Sequence, residues 1–153
     1  MKSLGKFTLQ GTVESLTWNQ IRLFDGSFST AYRVTKFVIV TYDPDNSGLD
    51  LYGTLATEEL DQDVWNFADN RQIGWASMAN FGGAYGPSGP GFELINRDNL
   101  IVEDLWLYGE TNAATAPAKN INYYIEMEKF DVGLSIGAYS MVRNSSQNMP
   151  SND

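Results

Sequence analysis

Cysteine and histidine are both missing from this 153-residue chain. Without cysteine there is no disulfide, no thiolate metal site and no cysteine nucleophile. The lack of disulfides fixes no compartment, because a core of this size holds without them. Without histidine, zinc and copper sites lose their commonest ligand, and Ser-His-Asp and Cys-His catalysis lose an essential member. The chemistry left open is carboxylate catalysis, a lysine nucleophile, or oxygen ligation of calcium or magnesium.

Basic residues are scarce. Ten Lys and Arg face nineteen Asp and Glu, for a formal net charge of −9. Eight of the acids fall between Asp43 and Asp69, and no basic residue interrupts that stretch before Arg71. Nucleic-acid binding rests on neutralising phosphates with Lys and Arg. With only Lys2 and Lys6 near the N-terminus there is no basic arm, so direct packaging of nucleic acid is not expected. Long apolar runs are missing too. The longest, Phe37–Val40, is strand-sized, which predicts no transmembrane segment. The opening MKSLGKFTLQG has no apolar h-region and is not expected to be a secretory signal.

What the chain does have is aromatic and β-branched residues in short runs, the composition of strands. The expected strands are Lys6–Val13, Gln20–Phe24, Ala31–Tyr42, Asp50–Leu55, Gln72–Ala79, Gly91–Ile95, Asn99–Gly109 and Ile121–Phe130. Alternation is clearest in Asn122–Glu128, with Tyr123, Ile125 and Met127 on one face and Tyr124, Glu126 and Glu128 on the other. In Tyr32–Val38 the alternation breaks at Phe37–Val40, where both faces turn apolar. Asp25-Gly26 is a tight-turn dipeptide between two strands, and Asp43–Gly48 reads as a turn.

Helix is expected in at most two places. Thr57–Phe67 offers Thr57 as N-cap, with Leu60, Val64 and Phe67 on one face. Asp131–Asn144 offers an apolar face weakened by Gly133 and Gly137. Phe81–Gly91 is too rich in glycine and proline for regular structure, and Ala113–Lys119 is a second loop. The fold class predicted is mostly β: an antiparallel β-sandwich or single jelly roll of about eight strands with one or two short helices. The domain runs over 1–143, and 144–153 reads as a flexible tail.

Three kinds of site are conceivable. Asp43, Asp45, Ser47 and Asp50 partly match a calcium loop, with oxygens at spacings 1, 3 and 5 and a glycine at 6. The bidentate Glu of the twelfth position is replaced by Thr54, so a solvated turn is the competing reading. Calcium is the sole cofactor the pattern suggests. The acids of Glu58–Asp63, Glu103-Asp104 and Glu126/Glu128 could pair for glycoside hydrolysis, but such runs are ordinarily wet faces. Among the aromatics, Trp75 and Trp106 sit inside strands and are expected in the core. Trp18 and Trp65 lie near element ends, and Tyr85 sits in the glycine-rich loop. These three are the candidates for an interface or a ligand contact. The glycine-rich loop has no lysine and no phosphate-cradle order. The sequon at Asn144 carries no weight without secretion.

The segments Trp18–Gly26 (WNQIRLFDG), Ala31–Pro44 (AYRVTKFVIVTYDP) and Asn120–Val132 (NINYYIEMEKFDV) together resemble small virion structural proteins of environmental bacterial viruses. That resemblance implies a single jelly roll or related barrel serving as a capsid, vertex or decoration subunit, located in the virion. It carries no functional residue with it. The reading that follows is a non-enzymatic virion structural protein, partnered by copies of itself and by other structural proteins of a particle. The alternatives are a carbohydrate-binding β-sandwich, calcium-dependent or not, and a carboxylate hydrolase.

Overall fold

The computed structural model describes residues 1–46, 48–80, 91–113, 115 and 118–133. Eight strands account for most of them: β1 (Lys2–Glu14), β2 (Thr17–Arg22), β3 (Thr30–Thr41), β4 (Leu49–Ala56), β5 (Gln72–Asn80), β6 (Phe92–Ile95), β7 (Asp104–Thr111) and β8 (Asn120–Asp131). All pairings between them are antiparallel. One sheet has the order β1-β8-β3, the other β2-β7-β4-β5-β6. They stack as a β-sandwich, with pairings nested: β1 with β8, β2 with β7, β4 with β5.

The core is the space between the sheets. Strand periodicity puts alternate side chains there. Val34, Phe37, Ile39, Ile121, Ile125 and Met127 come from the three-stranded sheet, and Leu51, Leu55, Met78, Leu105 and Leu107 from the five-stranded one. The inward set of β3 shifts phase before the apolar run Phe37–Val40. A β-bulge between Val34 and Lys36 leaves Thr35 as the extra residue, so Val34 and Phe37 both face inward. The Thr35 hydroxyl donates to the Glu126 carbonyl at 3.2 Å, and Arg97 donates to the Thr35 carbonyl at 3.1 Å.

Two glycines set the sheet separation. Gly53 of β4 and Gly109 of β7 stand opposite each other in register. A Cβ on Gly53 would sit 3.0 Å from Phe37 and 3.1 Å from Ile39, and one on Gly109 would sit 2.8 Å from Ile121. The three-stranded sheet therefore rests on bare backbone at this point.

Several sequence expectations need correction. No helix occurs among the described residues. The expected helix Thr57–Phe67 is an irregular segment, and its supposed apolar face is not buried: Val64 and Phe67 are 56% and 61% exposed, while Leu60 is 4% exposed. Competing side-chain bonds explain this. The Asn66 carboxamide oxygen accepts from the Ala68 amide, and the Asp69 carboxylate accepts from the Arg71 amide, both at 3.0 Å. The start of the second expected helix, Asp131, ends β8 instead; its remainder from 134 on, the tail 144–153, the loop 81–90 and Ser47 lie outside the described residues. Asp25-Gly26 does not turn a hairpin, because β2 and β3 belong to different sheets. It is part of a crossing between them, tied down by Asp25, which accepts from Ser27 and Thr30 at 3.0 Å and pairs with Lys129 at 3.1 Å.

Filling the glycine contact should cost stability. Gly53→Val and Gly109→Val are each expected to destabilise by about 1–3 kcal/mol, the usual penalty of overpacking. Thermal denaturation should show the melting point falling by about 2–4 °C per kcal/mol in a chain of this size.

Candidate functional site

With the leucines of β4 and β7 pointing inward, the residues between them point out. Tyr52 and Thr54 of β4 lie across from Glu110 and Tyr108 of β7. Trp106 and Trp18 follow on the same face of β7 and β2, where Trp18 stands opposite Tyr108. On the other side, Trp75 of β5 lies opposite Thr54 and next to Leu94 of β6. The outer face of the five-stranded sheet is thus an aromatic surface. Trp75 is buried, as the core placement expected, although on the outer side of its sheet; Trp106 is only half-buried, contrary to that expectation.

The segment between β4 and β5 lies on this surface. Gln72, which is buried, organises it with three bonds: its oxygen accepts from the Asn66 amide and the Trp75 indole, each at 3.0 Å, and its nitrogen donates to the Val64 carbonyl at 2.8 Å. The Trp65 indole donates to the Thr54 hydroxyl at 3.0 Å. Rings then meet in series. Trp18 and Tyr108 are 5.1 Å apart, Tyr108 and Tyr52 6.3 Å, Tyr52 and Trp65 5.9 Å edge-on, and Trp65 and Phe92 5.7 Å. Phe67 packs on Trp75 at 4.6 Å. Two of the sequence-selected residues, Trp18 and Trp65, are therefore members of one surface, linked through two tyrosines. The third, Tyr85, lies outside the described residues.

The surface is apolar at its centre and acidic around it. Val64, Phe67, Phe92 and Leu94 are exposed large apolar side chains. The carboxylate of Glu110 accepts from the hydroxyls of both Tyr52 and Tyr108, and the Asp63 carbonyl lies 3.2 Å from the Tyr52 hydroxyl. Burial, and after it the negative charge of Glu110, pushes the Tyr108 phenol up to about 12 and raises Tyr52 as well. Arg71 is spent on its own segment. It grips Asp69 through Nε at 2.8 Å and Nη2 at 2.7 Å, and meets Glu58 at 3.0 Å. Those bonds hold the Asp69 carboxyl below the usual carboxylate range. Among the described residues, Glu59, Asp61, Asp63 and Glu110 make no ion pair.

The other candidates do not converge. Asp43 accepts from the Asp45 amide at 3.3 Å, closing its own turn, and Asp50 lies on β4 with its amide donated to Asn112. Among the described residues no three acidic side chains are placed to hold a metal ion. Three of the acids weighed for hydrolysis sit in ordinary surface bonds: Asp104 accepts from Gln20, Glu126 from Tyr124, and Glu128 from Ser3.

A signal for the surface was present in the sequence. Leu-Tyr-Gly occurs twice, at 51–53 and 107–109, and the two copies pair about the Gly53–Gly109 contact. In each copy the tyrosine takes the parity opposite to leucine and glycine, which is the outward one.

Two pH-dependent outcomes follow from these bonds. Arg71→Met is expected to lower stability at pH 7 by about 1–3 kcal/mol, the worth of charge-assisted hydrogen bonds. Asp69 is held below its ordinary value, so its contribution is full above about pH 4 and disappears as pH falls through the lower folded value. Urea titrations of the two proteins should therefore converge on acidification. The tyrosines act at the other end of the scale. Raised phenols contribute stability below about pH 10 that is lost as pH climbs through about 12 for Tyr108. Ultraviolet titration should show late-ionising tyrosines, and Glu110→Gln should bring Tyr108 part of the way back.

No protein-family model matches the chain, and no curated protein matches its sequence.

Proposed function

We propose that this chain is a non-enzymatic structural subunit that joins a larger particle through the outer face of its five-stranded sheet. One observation carries the reading: Val64, Phe67, Phe92 and Leu94 stand exposed around a packed series of tryptophan and tyrosine rings. Contiguous apolar surface with an aromatic centre and a polar rim is the anatomy of a protein interface. The nested strand pairing supports a jelly-roll subunit, with β6 held on β5 instead of completing the three-stranded sheet beside β3. Together with the resemblance carried by Trp18–Gly26, Ala31–Pro44 and Asn120–Val132, this supports a virion protein, as capsid or as an external capsid or vertex fitting.

A carbohydrate-binding reading uses the same rings, since aromatic faces stack on sugars. It is the weaker one. Trp65 meets Tyr52 edge-on and Trp18 is tilted over Tyr108, so the rings serve one another before a ligand.

The test is isolation of the tagged full chain from its native source, followed by carboxylate-to-amine cross-linking and mass spectrometry. The expected result is a particle in which cross-links start from Glu59, Asp61 or Asp63. Recovery of a free monomer with no cross-linked neighbour overturns the proposal. Binding on a glycan array that is lost in Trp18→Ala would replace it with the carbohydrate reading.

A further inference from the structure

From the charge around this face we infer that it docks a protein surface of opposite character, apolar at its centre and rimmed by Lys and Arg, rather than a second copy of this chain. The inference rests on the assembly reading and specifies its partner. The exposed apolar side chains call for burial: Val64, Phe67, Phe92 and Leu94 are 56%, 61%, 47% and 43% exposed. Their surroundings then select what can cover them. Glu59, Asp61 and Asp63 are exposed on the same covering segment that carries Val64 and Phe67, Asp63 touches Tyr52 through its carbonyl, and Glu110 lies on β7 between two tyrosine hydroxyls.

Among the described residues none of these four carboxylates has a cation, because Arg71, the basic residue of that segment, is consumed by Asp69 and Glu58. Desolvating unpaired carboxylates is costly unless the partner supplies the counter-charge. A two-fold contact through this face would set the same patch against itself and bring like charges together. With ten basic residues against nineteen acidic ones, copies of this chain are short of the counter-charge such a contact needs. Arginine is well suited to the complement, since its guanidinium stacks on exposed rings and forks onto carboxylates.

Peptides of alternating Leu and Lys, and of alternating Leu and Glu, serve as probes against the full chain. Binding is followed by amide and indole chemical shifts. The Leu–Lys peptide is expected to shift the Trp65 indole and the Phe92 and Leu94 amides. Its affinity should fall at least about tenfold when salt is raised tenfold, which shortens the Debye length about threefold. The Leu–Glu peptide should leave the spectrum unchanged. Phe92→Ser/Leu94→Ser should weaken binding by removing the apolar centre. Asp61→Lys/Asp63→Lys should weaken it at least as much, whereas Asp45→Lys/Asp131→Lys, with the same change in net charge elsewhere, should not.

Equal loss in both lysine pairs would mean non-specific attraction and would sink the inference, as would equal binding of the two peptides. So would a concentration-dependent dimer in light scattering that Phe92→Ser/Leu94→Ser abolishes. In that last case the assembly reading stands and only the identity of the partner changes. A native chain found free and monomeric fails the assembly reading itself.

Discussion

The separation of the two sheets depends on a place where there are no side chains. Gly53 and Gly109 face each other across β4 and β7, and the rings and methyls of Phe37, Ile39 and Ile121 lie against their backbone. Any Cβ at either position would push into side chains that are themselves fully or nearly fully buried. Close-packed interiors transmit such a displacement instead of absorbing it. The leucines on either side, Leu51, Leu55 and Leu107, fill the core only at the spacing this contact allows.

The same pair of strands determines the outer surface. Because glycine and leucine share the inward parity, Tyr52, Thr54, Trp106, Tyr108 and Glu110 share the outward one. That face is too apolar to be left bare, and the β4–β5 segment covers part of it through Gln72, Trp65 and Leu60. The cover is incomplete, and its own Val64 and Phe67 enlarge the exposed apolar area. The opposite face of the sandwich differs. There Ser3 meets Glu128, Thr12 meets Asn122 and Tyr124 meets Glu126 in polar side-chain bonds. The two outer surfaces of one small sandwich are thus chemically unlike.

The strands were legible because period-two alternation and turn residues are local signals. All eight expected strands overlap observed ones, from Lys6–Val13 within β1 to Ile121–Phe130 within β8. The pairing was not legible, because β1 meets β8 and β2 meets β7 through contacts that no neighbouring residue records. The apolar run Phe37–Val40 in β3 was visible, but the bulge at Thr35 just before it, which shifts the inward set from Val34 to Phe37, was not. Thr57–Phe67 misled because its apolar spacing fits a helix, whereas Gln72, Asn66 and Asp69 hold the backbone in other bonds. Trp18 and Trp65 stand out in the sequence as interface or ligand-contact candidates, but their union through Tyr52 and Tyr108 needed the fold. The repeated Leu-Tyr-Gly was the one local sign of it.

Nested pairing also governs the order in which the chain can acquire its structure. Lys2 pairs with Asp131, so β1 has no partner until nearly the whole domain has been synthesised. Non-local pairing of this kind makes folding slow, on the scale of about milliseconds to seconds for sandwich topologies. During that interval the β-branched run of β3 and the leucines of β4 and β7 are unpaired and able to join those of another chain. The surplus of carboxylates then has a use before any partner is met. Mutual repulsion between nascent chains lengthens the time available for the first strand to find the last.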